Sequence, residues 1–327
     1  VSAESDGGRR QWREIEAFLD RHAGVMGFVG TRFDGQREAC TEWSGFPAQH
    51  FIVPEFALES REVGGRLHAN VRVTPGAQPA EIAEAFAQRL DALVMSPART
   101  GAPAAEHATW RETPEKRAWL KAVRDVKTHL DSDPLDKVVL ARRLDVTFAE
   151  SPNPFLFMRC FAAMQSPAYY FCWEAAPGRA FLGSSPEQLV RRSGRSVFSE
   201  ALAGTRRRGP TPEVDRQLRD ELLACPKERY EHALVHDHVR ERLAPLCRTL
   251  SCTDGPEVLQ LVLVQHLIQK TTGELSEGVG DAELVGALHP TPAVCGVPTG
   301  AALDLIRRLE PFDRGWYAAP LGVLSRD

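Results

Sequence analysis

Pro290, Pro292, Gly296 and Pro298 fall within ten residues of one another in His289–Gly322, HPTPAVCGVPTGAALDLIRRLEPFDRGWYAAPLG. Proline fixes φ and removes a backbone donor, so this segment can be neither a helix interior nor a central strand. It has to be a shaped loop, delivered onto a helix that begins near Thr299. A loop of this kind either stiffens a connection or holds backbone groups against a bound small molecule.

The rest of the chain offers ample core for such a loop to rest on. With 43% apolar residues over 327 positions, one large domain or two can form. A net charge of −4 and a pI near 6.2 argue against nucleic acid or a membrane surface as partner. The basic run Arg206-Arg207-Arg208 then reads as a solvated loop. No apolar run is long enough to span a bilayer, and the opening VSAESDGG lacks the apolar segment of a leader. The start at Val1 points to a trimmed N-terminus. Seven scattered cysteines, none in a CxxC pair, imply reduced thiols and a reducing compartment.

Periodicity predicts helices over 9–22, 79–94, 114–130, 153–165, 213–223, 226–247 and 299–309. Thr113 is the expected cap of the third, with Pro114 at its first position. Strands are predicted over 25–33, 50–59, 66–74, 136–148, 169–175, 180–183, 196–202 and 316–324. The apolar run Val258–Leu267 is read as one strand in the middle of a sheet. Ser96–Thr113, rich in Ala, Pro and Gly, is read as a flexible loop. Helices and strands intersperse without strict βαβ alternation, which predicts an α+β fold of large layered antiparallel or mixed sheets with flanking helices. Residues 1–110 form its N-terminal part and 111–327 its catalytic part.

Four segments carry polar groups that a bland core does not need. Lys137 enters the apolar strand KVVLAR, where it either snorkels to solvent or sits desolvated with a lowered pKa. Only the second state makes a general base. Glu187 follows Pro186 in SSPEQL; it is either a carboxyl kept protonated by burial or a helix-start carboxylate complementing the macrodipole. In KERYEH, Glu228 and Glu231 are three apart and share a helix face, where like charges need a cation. Oxygen ligands favour Mg²⁺. Zinc on His232 and His236 is the weaker alternative, because Ala233 stands where a zinc-protease helix needs Glu. A solvated charged face ranks between them. His266 ends a buried strand as either a satisfied core residue or a catalyst. Gly204 and Thr205 in EALAGTR form either an anion-binding turn or a plain one. No phosphate-binding glycine motif and no GxSxG are present.

In combination these segments resemble the chorismate-utilising enzymes, whose fold is that of anthranilate synthase component I, and within them the isochorismate synthase branch. The resemblance extends from about Val25 to the C-terminus through KVVLAR, SSPEQL, EALAGTR, KERYEH, VQHL and the Pro-rich stretch. It implies chorismate as the small-molecule substrate, Mg²⁺ as cofactor, Lys137 as the base that activates water, and Glu187 as the acid. It further implies Glu231 and Glu228 as metal ligands, with Gly204, Thr205, His266, Ala293 and Tyr317 lining the substrate. Lys137 in place of glutamine, and Ala293 in place of threonine, favour water over ammonia as nucleophile. A salicylate synthase and a non-catalytic relic of a larger protein are the alternative readings. The resemblance also implies further strands, an arginine and a glutamate-bearing helix after Asp327, so the chain is expected to be C-terminally incomplete. A monomer or part of a fused polypeptide is expected, in the cytoplasm or a plastid stroma.

Overall fold

The computed structural model describes residues 6–38, 40–60, 63–94, 107–132, 134–164 and 166–326. Its largest sheet has five strands, all paired antiparallel. Ser196–Arg207 and Val264–Leu275 lie at its centre, flanked by Arg191–Ser193 and Cys247–Cys252, with Glu257–Gln260 also paired to Val264–Leu275. A second sheet joins Leu321–Ser325, Met26–Thr31 and Gln49–Ile52, so the two ends of the chain share one set of hydrogen bonds. The expected α+β architecture is present.

Small side chains decide how closely the main helix approaches the large sheet. Ala201 and Ala203 point into the interface with Val235 of the helix Pro226–Leu243, and all three are buried. Between Ala203 and Thr205 the pairing slips by one residue. Gly204 absorbs this bulge at φ +79°. A Cβ there would meet the Glu228 carbonyl oxygen and a Leu267 methyl at 3.3 Å.

Several expected elements are divided, each for an identifiable reason. The apolar run Val258–Leu267 is a hairpin, not one central strand: Glu257–Gln260 folds back on Val264–Leu275, with Val258 opposite Leu267. Val262 and Leu263 are exposed at its tip, so apolarity alone misled the assignment. The predicted strand 136–148 breaks into Lys137–Val138 and Arg143–Phe148. Between them the Val139 carbonyl accepts from Arg314, and the Ala141 N–H donates to the Glu310 carboxylate at 2.7 Å. The Val139 N–H still reaches the Cys295 carbonyl at 2.7 Å, and beyond it side chains take over from the strand ladder.

Thr113 does not cap a helix. It ends the strand His107–Thr113, and the helix begins at Lys116. That strand also corrects the loop predicted over 96–113, whose first part lies outside the described residues. Pro54 splits the strand predicted over 50–59, and the strand predicted over 66–74 stops at Ala69. The helix predicted to reach 247 ends at Leu243, and Cys247 opens a strand. The final strand starts at Leu321, because 316–319 turn with Ala318 at φ +62°. The helix Asp281–Leu288 was not foreseen.

The Pro-rich loop is anchored by a buried ion pair. Arg314 donates to Glu310 at 2.8 Å, and to the carbonyls of Val294 and Val139, also at 2.8 Å. Its guanidinium lies 4.3 Å from the Phe33 ring centre. His289 meets the Phe33 carbonyl at 3.1 Å, which requires the proton on Nε2. The loop therefore forms one wall shared by Lys137–Val138 and the helix Thr299–Leu309. Among the described residues no helix is long and apolar enough to cross a membrane.

Candidate active site

Two elements bring the first charged groups together. Lys137 begins the short strand paired with Gly296–Val297. Glu231 projects from the first turns of the helix Pro226–Leu243. Lys137 Nζ lies 3.2 Å from Glu231 Oε1, and its side chain is only 11% exposed, so the lysine does not snorkel. The contact is too poorly aligned to count as a hydrogen bond, which leaves a buried Nζ without one. Burial lowers its pKa below the ordinary lysine value, against the opposing pull of the Glu231 and Glu187 charges.

Glu187 is perturbed in the opposite direction. No helix starts after Pro186, so the macrodipole reading of this residue is set aside; the next element is the strand Arg191–Ser193. Burial pushes the Glu187 carboxyl up to about 7, while a hydrogen bond from Thr291 and the Lys137 charge pull it down. The Thr291 hydroxyl donates to Glu187 Oε1 at 3.5 Å from the buried floor of the Pro-rich loop. Sequence reasoning missed Thr291. Its signal was the hydroxyl between Pro290 and Pro292, a place where the backbone is fixed and a side chain can be aimed.

Glu228 closes the other side. It is buried, and its Oε2 accepts the Thr205 N–H at 3.1 Å while Arg206 holds Oε1 at 3.1 Å. Burial raises its pKa, but these donors outweigh burial and keep it below the ordinary carboxylate value. Arg206 is therefore not part of a solvated loop, and neither is Arg208, which forks onto Asp215 at 2.7 Å. The bulge at Gly204 turns Thr205 so that its hydroxyl meets His266 Nδ1 at 3.0 Å. Burial lowers the His266 pKa, against a hydrogen bond with the Gly204 backbone that raises it. Ala293 packs against the Ala201, Ala203 and Val235 cluster. Tyr317 is 56% exposed and is tied to the loop through its N–H to the Arg314 carbonyl.

A groove of about 410 Å³ opens beside this group, between Trp119, Leu140 and Tyr230, and reaches Lys137, Lys227 and Glu231. Glu187, Thr205 and His266 are not among its lining residues. The donors facing a cation are two carboxylates. The Lys227 ammonium lies 3.3 Å from Glu228 Oε1 and 3.8 Å from Glu231 Oε2, which shows that one cation fits between them. Hard oxygen donors, few in number, are of the kind that suits Mg²⁺. Among the described residues no three His, Cys, Asp or Glu side chains gather into a fuller metal cage.

The sequence matches the chorismate binding enzyme family over residues 5–327. The chain belongs to that family. An isochorismate synthase of Catharanthus roseus, a chloroplastic protein, is 31% identical over 96% of this chain and 55% of its own length. Isochorismate synthase MenF of Bacillus subtilis is 35% identical over 95% of this chain and 66% of its own. The chain thus spans between about half and two thirds of the curated relatives it matches. The solved structure of MenF, the menaquinone-specific isochorismate synthase of Escherichia coli, superimposes with a TM-score of 0.83 at 29% identity, covering 96% of this chain and 70% of that one. Anthranilate synthase component I of Streptococcus pneumoniae shares the fold, with a TM-score of 0.77 at 22% identity, over 94% of this chain and 73% of that chain.

Proposed function

We propose that this chorismate-binding chain acts as an isochorismate synthase, adding water at C2 of chorismate with loss of the C4 hydroxyl. The observation that carries the reading is geometric: a buried Lys137 amine 3.2 Å from Glu231, and a Glu187 carboxyl held by Thr291 close enough for the two charges to act on each other. Lysine is shifted towards its neutral form and glutamate towards its protonated form. A base and an acid poised in this way suit concerted water addition and hydroxyl departure. The names of the relatives, isochorismate synthases of plants and bacteria, support the same reaction.

In this reading Lys137 takes a proton from water as its oxygen bonds to C2. The two ring double bonds shift towards C4, and the C4 oxygen leaves with the proton of Glu187. One water is added and one released, so the product is an isomer of the substrate. Glu231 and Glu228 would hold Mg²⁺, which when bound offsets the charge of the substrate carboxylate. Gly204, Thr205, His266, Ala293 and Tyr317 are proposed to line the substrate. Thr205 and His266 offer a hydroxyl and an imidazole ring, and Ala293 leaves room for a water molecule.

The test is incubation of the chain with chorismate and Mg²⁺, with products separated by liquid chromatography. Isochorismate formation that disappears in Lys137→Ala supports the reading. Unchanged turnover in Lys137→Ala sinks the assignment of the base, and salicylate as the product replaces the reaction.

A further inference from the structure

The cation that already lies between the two carboxylates is part of the chain. Three cationic side chains surround Glu228 and Glu231: Arg206, Lys137 and Lys227. With Lys137 in the neutral form that its role as base requires, Arg206 and Lys227 are the charges that balance the two carboxylates, and only Lys227 reaches both of them. The three also differ in freedom. The Lys137 side chain is 11% exposed and Arg206 29%, whereas Lys227 is 79% exposed.

Its place on the helix is otherwise unfavourable. Lys227 is the second residue of Pro226–Leu243, where the helix dipole presents positive charge and disfavours a cation. A flexible stem ending in a compact ammonium, set against its own helix dipole and reaching both carboxylates, has the properties of an exchangeable counter-ion.

We propose that Lys227 is a built-in stand-in for the divalent cation, occupying the space between Glu228 and Glu231 and swinging out to solvent when the metal enters. This rests on the reading of those two glutamates as the Mg²⁺ site. Lys227 then sets the metal affinity without being a ligand. It keeps the carboxylates apart and neutralised while the site waits, and every binding event has to displace it.

The experiment is a calorimetric titration of the full chain with Mg²⁺ alone, comparing wild type, Lys227→Met, Lys227→Arg and Glu231→Gln. Methionine matches the lysine stem and supplies neither charge nor an oxygen ligand, and the exposed position tolerates it. Removing one unit charge at this range, discounted for exposure, should tighten Mg²⁺ binding by about three- to tenfold. Lys227→Arg, which keeps the charge, should stay within about twofold of wild type on the same scale. If Mg²⁺ binds wild type and Lys227→Met alike, and Glu231→Gln abolishes binding, the metal site stands and the role of Lys227 is overturned. If neither wild type nor Lys227→Met takes up Mg²⁺, the metal reading falls and this inference falls with it.

Discussion

Lys137 Nζ and Glu231 Oε1 lie 3.2 Å apart, so the proposed base and a proposed metal ligand are immediate neighbours. The strand that carries Lys137 is held by the Pro-rich loop, and the helix that carries Glu231 rests on the Ala201 and Ala203 surface. Their separation is therefore fixed by two different parts of the fold. Glu187 reaches the same region from a third segment, steadied by Thr291.

The proton inventory of this group predicts a bell-shaped dependence of rate on pH. Glu187, whose carboxyl burial holds up at about 7, must be protonated to act as acid, so loss of its proton limits activity on the alkaline side. Lys137 must be neutral to act as base, so activity falls as pH drops below its lowered pKa. Lys137→Met should cost about a hundredfold to ten-thousandfold in rate, the usual range for a lost proton-transfer group. Glu187→Gln should lose the alkaline limb. Rates of isochorismate formation across pH measure both, and an unchanged alkaline limb in Glu187→Gln rules out the acid assignment.

Thr291→Val tests how the acid is tuned. The Thr291 hydroxyl stabilises the charged form of Glu187 and draws its pKa down. Removing that hydroxyl should keep Glu187 protonated to higher pH, raising the rate on the alkaline side while leaving the rate on the acid side unchanged. A shift to lower pH, or equal movement of both limbs, contradicts the hydrogen bond as the cause.

Much of this site was legible in the sequence because its residue types conflict with their surroundings. A lysine opening an apolar strand, a glutamate fixed by Pro186, and two glutamates sharing a helix face each demand a reason. What was not legible depends on long-range pairing. Nothing local in KVVLAR shows that Ala141 gives its N–H to Glu310, which stops the strand after Val138. The exposed tip at Val262 and Leu263 is as apolar as a buried strand, so composition concealed the hairpin. Arg206 looked solvated because its partner Glu228 comes 22 residues later, on another element.

Gly204→Ala should destabilise the chain and loosen the site together. At φ +79° an L side chain is strained, and its Cβ would press on the Glu228 carbonyl oxygen and Leu267 at 3.3 Å. A loss of about 1–3 kcal/mol is expected from the backbone strain. Thermal unfolding measures it. Because the bulge aims Thr205 at both Glu228 and His266, the variant should also weaken substrate binding. A wild-type melting temperature would mean that the bulge relaxes without cost.

His289 links the Pro-rich loop to acid stability. Burial lowers its pKa from 6.5 to about 4, against the raising effect of its hydrogen bond to the Phe33 carbonyl. A depressed histidine is neutral in the folded state over a range where the unfolded chain binds a proton. Its contribution is thus fully present above the unfolded value of 6.5 and is lost as pH falls towards 4. Linkage gives about 2 kcal/mol lost by about pH 5 and a limit of about 3 kcal/mol in stronger acid. Glutamine cannot take up that proton, so His289→Gln should be less stable near neutrality but lose less on acidification. Urea unfolding midpoints at about pH 7 and about pH 5 compare the two chains under the same linkage relation. Parallel losses would show that other groups carry the acid sensitivity and that His289 only packs.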